Sequence, residues 1–188
     1  MLGIKAISFA AATFLAASAV ADDRVRETRP SPDGRYFVGW FDYDAGEPFV
    51  LVRTIVMRSV SNPYNIFSLV SLPRYTDAAW NAASNRCVIA DAPNNGGPRT
   101  WLIYQKTSEE WATRELDPFA TLETAFRKTD PEVRHLFRPS ILKMTWLSDT
   151  QLRLRGYCNT GTYFITLDTA APKQPPKTKK LSDDWLDE

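Results

Sequence analysis

The sequence predicts a mainly β protein built from antiparallel hairpins, and three observations support this prediction. Apolar and polar residues alternate with a period of two over much of the 188-residue chain, as strands with one buried face require. The apolar segments are rich in β-branched and aromatic residues, which favour strands. Turns rich in Gly, Asn, Asp and Pro separate segments that are neighbours in sequence, and such turns are typical of hairpins.

Eight segments are predicted as strands. Residues 35–43 are rich in aromatic side chains, and residues 49–57 form a nearly continuous apolar run with five β-branched residues. The other predicted strands are 66–72, 86–90, 100–105, 110–116, 151–157 and 162–167, and the predicted turns are 44–48, 94–98, 107–109 and 159–161. Two arrangements remain open at this point: an open assembly of blade-like sheets and a two-sheet sandwich.

The pattern changes near residues 117–138. Asp117-Pro118 and Asp130-Pro131 each combine an N-cap residue with proline at the first helical position. Apolar residues follow each pair at spacings of one, three and four residues, as a buried helical face requires. The sequence therefore predicts an insertion of two short helices that packs on a sheet.

Residues 1–21 have the three parts of a secretory signal peptide. Lys5 forms a basic start, an apolar run covers 7–17, and Ala19 and Ala21 are the small residues that a signal peptidase reads. The apolar run is shorter than the roughly 20 residues of a membrane-spanning helix. We expect an exported protein, periplasmic or secreted, with no membrane span after cleavage.

The mature chain is expected to contain one β-rich domain, residues 22–169, followed by a Pro- and Lys-rich linker and an acidic tail over 170–188. Four acids flank Trp185 and Leu186 near the end of this tail. Two interpretations are open: a frayed terminus, or a short linear motif in which Trp185 and Leu186 dock into a groove of a partner.

Three segments share a small polar corner followed by a strand. They are Ser31-Pro32-Asp33-Gly34, Ser84-Asn85 with Trp80 ahead of it, and Trp146-Leu147-Ser148-Asp149. These segments resemble blades of bacterial β-propellers related to the Tol-system periplasmic propeller and the prolyl-oligopeptidase propeller. In such blades a Ser-Pro-Asp-Gly corner, often preceded by Trp, opens a strand. The resemblance implies a structural role for the corners and assigns no catalytic residue.

The corners lie 52 and 64 residues apart (85 − 33 and 149 − 85). Removing the 22 residues of the predicted insertion shortens the second interval to 42 residues, which lies in the range of propeller blades. The chain has material for about three blades, whereas closed propellers have four to eight. A homo-oligomer that completes a ring therefore remains open beside an unclosed assembly.

Composition excludes several classes of site. The chain carries 23 Lys and Arg against 22 Asp and Glu, and removal of Lys5 leaves it formally neutral. Nucleic-acid binding driven by bulk charge is therefore excluded. One His and two Cys cannot supply four zinc ligands from those residue types. Phosphate-loop, dinucleotide and calcium-loop motifs are absent from the sequence, so we expect no cofactor and no metal.

Cys87 and Cys158 are the two cysteines of the chain. In an exported protein an even number of cysteines predicts a disulfide. This bond would close a loop of about 70 residues and, in the chain-entropy model, stabilise the fold by roughly 4 kcal/mol. The alternative is two separate buried thiols that pack as small apolar side chains.

Arginine is the most informative residue type. Residues 22–172 contain 15 Arg and three Lys, and Arg153 and Arg155 share one face of a predicted strand. Arginine is favoured where a planar side chain binds carboxylates with two hydrogen bonds. Arg153 and Arg155 are therefore candidates for contact with an acidic partner, and the alternative is a solvated face with internal salt bridges.

The sequence favours binding over catalysis. His135, the single histidine, lies on the second predicted helix, and the sequence shows no serine elbow flanked by glycines. We expect an exported, non-catalytic binding protein of the cell envelope that recognises a protein partner. Three alternatives remain: an inhibitor or immunity protein of a secreted enzyme, a glycan hydrolase with a carboxylate pair, and a structural envelope component.

Overall fold

A computed structural model describes residues 27–44, 51–62, 64–71, 73–93, 99–120, 122–124, 140–158 and 161–181. These residues form twelve strands. They are β1 (Glu27–Pro30), β2 (Tyr36–Asp44), β3 (Leu51–Ser59), β4 (Asn65–Ser71), β5 (Pro73–Trp80), β6 (Arg86–Pro93), β7 (Arg99–Gln105), β8 (Trp111–Leu116), β9 (Ser140–Trp146), β10 (Gln151–Cys158), β11 (Gly161–Asp168) and β12 (Lys177–Lys180).

The strands form three antiparallel sheets of four strands each. β1–β4 form the first sheet, β5–β8 the middle sheet and β9–β12 the third sheet. Within every sheet, strands that follow one another in sequence pair with each other, so each sheet is a simple meander. This is the layout of a propeller blade.

The three sheets stack face to face through two cores. Alternation along β6 places Cys87 and Ile89 in the core shared with the first sheet, and Val88 and Ala90 in the core shared with the third sheet. The middle sheet is therefore buried on both faces, because successive side chains of a strand point to opposite sides. The blade-like arrangement is the observed one, and the two-sheet sandwich is wrong.

The corners of the first two sheets have the same backbone geometry. Ser31 N donates to Tyr36 O at 2.9 Å, and Asn81 N donates to Arg86 O at 3.0 Å. Counted from Ser31 and from Asn81, the fourth residue of each corner has a left-handed backbone, with φ of 71° at Gly34 and 58° at Ser84. The third corner is one residue shorter, since Leu147 N donates to Gln151 O at 2.8 Å. The predicted repeat of corner and strand is thus present in the structure.

Tryptophan side chains connect successive sheets at these corners. Trp80 Nε1 donates to Arg29 O at 2.9 Å, and Trp146 Nε1 donates to Ala79 O at 3.0 Å. In both cases the acceptor lies two residues before the first residue of the corner in the preceding sheet, which is Ser31 in the first sheet and Asn81 in the middle sheet. Each of these tryptophans therefore links its sheet to the sheet before it through an indole hydrogen bond.

The predicted helical insertion begins at Asp117, as expected. The described residues contain less helix than the two predicted helices. Asp117 Oδ1 accepts a hydrogen bond from Ala120 N at 3.0 Å, which confirms the N-cap. One helical turn follows, at 120 and 122–124, and it places Phe119 and Leu122 in the core beside the third sheet. The structure does not support two helices; the second one, with His135, falls outside the described residues. No helix in the described ranges is long and apolar enough to cross a membrane.

The β-rich domain extends beyond residue 169, where the sequence predicts a linker. β12 pairs with β11 from Thr166↔Lys177 to Tyr163↔Lys180, and Leu181 N donates to Thr162 O at 2.9 Å. All four residues of β12 are exposed, so the strand has no apolar alternation that the sequence could reveal. Backbone pairing with β11 holds it in the sheet.

Candidate binding surface

The third sheet has one buried face and one basic face. Leu152 and Leu154 of β10 are fully buried against the middle sheet, so the alternating residues Arg153 and Arg155 lie on the opposite side. Strand register adds three lysines to that side of the sheet. We call this surface the basic face; its cations are Lys143, Arg153, Arg155, Lys177 and Lys179.

The register arranges most of the basic face in two rows across β10, β11 and β12. Arg153, Thr166 and Lys177 form one row, and Arg155, Phe164 and Lys179 form the other. Lys143 of β9 pairs with Arg155 and extends the second row. Neighbouring strands lie about 4.8 Å apart, and residues two apart on one strand lie about 6.8 Å apart. The cations therefore stand on a regular lattice.

Arg153 lies beside a groove at one end of this lattice. Its Cζ is 5.1 Å from the ring centroid of Phe164, a cation–π distance. Its Nε is buried and has no hydrogen-bond partner. The groove has a volume of about 210 Å³, and the polar side chains along it are those of Gln151, Arg153, Thr166, Asp168, Gln174 and Lys177.

Most of the cations on the basic face lack an acidic partner. In the described part of the chain, no ion pair reaches Lys143, Arg153, Lys177 or Lys179. Among the described residues that line the groove, Asp168 is the one carboxylate, and its Oδ1 accepts a hydrogen bond from Ala170 N at 2.9 Å. The surface therefore presents concentrated positive charge on a chain whose formal net charge is only +1.

Arginines of the first two sheets have acidic partners. Arg53 binds both carboxylate oxygens of Asp42, at 2.6 and 2.7 Å, and Arg99 Nη2 lies 2.9 Å from Asp91 Oδ2. Hydrogen bonding to Asp42 raises the pKa of Arg53. For these arginines the alternative interpretation, internal salt bridges, is the correct one.

Asp91 is a buried carboxylate at the junction of the first and middle sheets. Ser71 Oγ donates to its Oδ2 at 2.7 Å, Thr76 Oγ1 to its Oδ1 at 3.3 Å, and Arg99 to Oδ2. These bonds compensate the cost of burying the charge. Asp91 therefore supports the packing of the sheets. No three His, Cys, Asp or Glu side chains in the described ranges form a metal-binding group.

The predicted disulfide between Cys87 and Cys158 is absent from the structure. Both side chains are buried and neither forms a disulfide. Cys87 lies in the core between the first and middle sheets, and Cys158 in the core between the middle and third sheets, so the middle sheet separates them. Burial raises the pKa of the Cys87 thiol well above its usual value. The structure therefore has two separate buried thiols.

Of the candidate site residues, the structure describes Arg153 and Arg155 and places them together on the basic face. Ala19, Ala21, Trp185 and Leu186 lie outside the described residues. Sequence reasoning missed Lys177 and Lys179 as surface residues because they lie in the segment interpreted as a linker. The spacing of two residues between them would place both side chains on one face of a strand, and it is the sequence signal for this part of the surface.

Comparison with known proteins gives a fold and no family. No family model and no curated protein matches the chain. Among solved structures, the apo form of AtxE2 isopeptidase matches at 11% identity with a TM-score of 0.51, over 85% of this chain and 30% of that one. Oligopeptidase B from Trypanosoma brucei with covalently bound antipain matches at 13% identity with a TM-score of 0.47, over 85% of this chain and 28% of that one.

This chain therefore spans less than a third of each of these two proteins. At such identities the likeness to AtxE2 isopeptidase concerns the fold alone, and a fold does not specify an activity. The resemblance of the corner segments to propeller blades concerns the fold, since the three four-stranded meanders of this chain have the layout of blades.

Proposed function

We propose that this chain is an exported, non-catalytic binding protein of the cell envelope, and that its basic face holds an acidic surface of a protein partner. The observation that supports the proposal is the difference in pairing. Arg53 and Arg99 are bound to acids of their own chain, whereas Lys143, Arg153, Lys177 and Lys179 share one sheet face without an ion pair within the described residues.

Unpaired exposed cations cost the folded chain little, because water solvates them. An acidic partner that replaces this water gains charge-assisted hydrogen bonds with the guanidinium of Arg153, whose side chain lines the groove. Complementary charge of this kind speeds association and selects among partners. The mature chain has no net charge, so the attraction acts at this face and not over the whole molecule.

Aromatic side chains give the basic face apolar contacts beside its charges. Phe164 lies in the second row between Arg155 and Lys179, and Tyr157 at the end of β10 is 46% exposed. Aromatic residues and arginine are the residue types enriched at the centres of protein interfaces. The face therefore combines charge with the side chains that supply binding energy.

The sheet that carries these side chains is rigid. Leu152, Leu154 and Ile165 are fully buried behind the face, and each contributes about 1.5–3 kcal/mol through its burial. A preformed surface binds with a smaller loss of conformational entropy than a surface that must order first.

The first experiment measures binding of poly-L-glutamate to the mature chain, residues 22–188, and to Lys143→Gln/Lys177→Gln/Lys179→Gln. These lysines are exposed, so the triple variant should fold normally. We expect binding to weaken at least tenfold in the variant. Lys106→Gln, which removes an exposed cation of the β7–β8 turn, is the matched control. Equal binding by the triple variant would contradict the proposal.

Export and partner identity need separate measurements. Cell fractionation followed by N-terminal sequencing should find the mature protein outside the cytoplasm, beginning at Asp22. Affinity capture from envelope extract should retain a partner on the native chain and lose it on the triple variant. If the captured partner is a secreted enzyme, titration of its activity tests the inhibitor alternative.

A further inference from the structure

We propose that the basic face binds an extended acidic segment of its partner, in which two carboxylates lie two residues apart. This inference rests on the proposed function and specifies the partner's local structure. The segment would lie along β11, over Thr166 and Phe164, with one carboxylate at each row of cations.

The spacing of the cations supports an extended ligand. Arg153 and Arg155 on β10 form one column, and Lys177 and Lys179 on β12 form another. Residues two apart on a strand are about 6.8 Å apart, and this is also the distance between alternate side chains of an extended peptide. Such a peptide can therefore place successive same-side carboxylates at both rows without strain.

The strand β11 sets the separation between the two columns of cations. β11 separates β10 from β12, so the backbones of the two columns lie about 9.6 Å apart, twice the strand spacing. Thr166 and Phe164 of β11 lie between the two columns on the same face of the sheet. The first carboxylate then meets Arg153 and Lys177, one from each side, and the second meets Lys179.

The groove identifies the first carboxylate position. About 210 Å³ lies between Arg153, Thr166, Lys177 and their neighbours. This is the volume of about seven water molecules in the liquid, which is ample for an Asp or Glu side chain. The guanidinium of Arg153, whose side chain lines the groove, supplies donors for that carboxylate.

The second row offers a different contact. The Phe164 ring stands between Arg155 and Lys179, where it can pack against the CH₂ groups of a Glu or Asp side chain. The same ring already lies 5.1 Å from the Arg153 guanidinium, so it keeps that guanidinium at the edge of the groove.

Asp168 favours a peptide over a phosphate polymer. Its carboxylate lines the groove and can accept hydrogen bonds from N–H groups of a ligand. A peptide backbone supplies such donors, whereas a phosphate polymer has none. A phosphate polymer is therefore the competing ligand that the experiment must exclude.

The experiment uses two fluorescent peptides of equal length, composition and charge. One is the alternating peptide Ser-Asp-Ser-Asp-Ser-Asp-Ser, and the other is the shuffled peptide Ser-Asp-Asp-Ser-Ser-Asp-Ser, in which no two carboxylates lie two residues apart. Fluorescence anisotropy should show the alternating peptide binding to the mature chain at least fivefold more tightly. In Arg153→Gln and in Lys177→Gln this preference should fall to less than twofold, whereas Lys106→Gln should keep it.

The outcomes separate this inference from the proposed function. Equal binding of both peptides would overturn the spacing, while loss of both in Lys143→Gln/Lys177→Gln/Lys179→Gln would still support acidic recognition. Binding of neither peptide, together with no binding of poly-L-glutamate, would overturn both proposals. Inorganic polyphosphate that binds more tightly than the alternating peptide would overturn the peptide assignment. Lys177 is exposed, so Lys177→Gln keeps the test valid if Arg153→Gln fails to fold.

Discussion

Arg53 in the first sheet and Arg153 in the third sheet lie on strands with neighbours on both sides, and they have opposite surroundings. Arg53 makes two hydrogen bonds to Asp42 across the β2–β3 pair and a third to Thr76 of the middle sheet at 3.1 Å. Arg153 faces away from the middle sheet and contacts Phe164. The same residue type thus connects sheets in one place and leaves charge available in the other.

The reason lies in burial. The side chain of Arg53 is 16% exposed, and a charge so far removed from water needs a partner to compensate its lost hydration. Arg153 rests its apolar stem on the sheet and keeps its charged end at a groove open to solvent. It can therefore remain without an acid of its own chain.

Breaking the ion pair between the buried Asp91 and Arg99 should have the largest effect on stability. Asp91→Ala leaves Arg99, Ser71 and Thr76 without their common acceptor. We expect the free energy of unfolding to fall by about 3 kcal/mol, measured by urea denaturation. Arg153→Gln is the matched change on the basic face and should lower it by less than about 1 kcal/mol. Equal losses would remove the distinction between structural and available charges.

Arg53→Gln should have an intermediate effect. The substitution removes both hydrogen bonds to Asp42 and the contact with Thr76. Asp42 is 36% exposed, so water solvates its carboxylate in part. We expect a loss of about 1–2 kcal/mol in the same urea titration, with no change in binding of poly-L-glutamate. A binding defect would show that the first sheet also takes part in recognition.

The hydrogen bonds of the tryptophans offer a smaller test of how the third sheet is held. Trp146→Phe keeps an aromatic ring and leaves Ala79 O without the indole donor. We expect a loss of about 1 kcal/mol, visible as a lower thermal midpoint. Trp80→Phe removes the equivalent bond to Arg29 O and should cost a similar amount. A much larger loss for one of them would show that the two junctions differ.

The smallest expected effect is a pH dependence of the first corner. Burial raises the pKa of Asp33, but hydrogen bonds from Ser31 and Arg35 outweigh it and lower the pKa from 3.8 to about 2. Because the folded pKa is lowered, Asp33 stabilises the fold above pH 3.8 and loses this contribution as the pH falls to 2. Asp33 is largely solvated, so the contribution is less than about 1 kcal/mol.

Asp33→Asn should reduce the loss of stability between pH 4 and pH 2, measured by thermal unfolding at each pH. Ser148→Ala at the third corner is the control, because Ser148 accepts the equivalent hydrogen bonds from Thr150 N and Gln151 N and its hydroxyl does not titrate in this range. This variant should keep the pH profile of the unsubstituted chain. An unchanged pH profile in Asp33→Asn would contradict the assignment.

The strand pattern shows how far sequence reasoning reached. The eight predicted strands correspond to β2, β3, β4, β6, β7, β8, β10 and β11, and the four missed ones, β1, β5, β9 and β12, each lie at the edge of a sheet. Edge strands have one neighbour and less burial, so apolar alternation is weaker there; β1 and β12 are exposed throughout. The sequence signal depends on burial.

The binding surface was only partly predictable for the same reason. Arg153 and Arg155 could be predicted because they alternate with the buried Leu152 and Leu154, which reveal the strand. Lys177 and Lys179 were missed because β12 belongs to the sheet only through its backbone pairing with β11. Within β12 the spacing of two residues between Lys177 and Lys179 fits a strand, but no apolar residue accompanies it.

The sequence by itself determined the β class, the corner segments and one N-cap, because these depend on residues close together in the chain. Tertiary structure alone decided which arginines have acids, since Asp42 and Arg53 meet through the β2–β3 pairing. It also decided that Cys87 and Cys158 face different cores, because β6 presents opposite faces to its two neighbouring sheets. Charge pairing and thiol pairing depend on distances between remote residues, and composition and periodicity do not encode those distances.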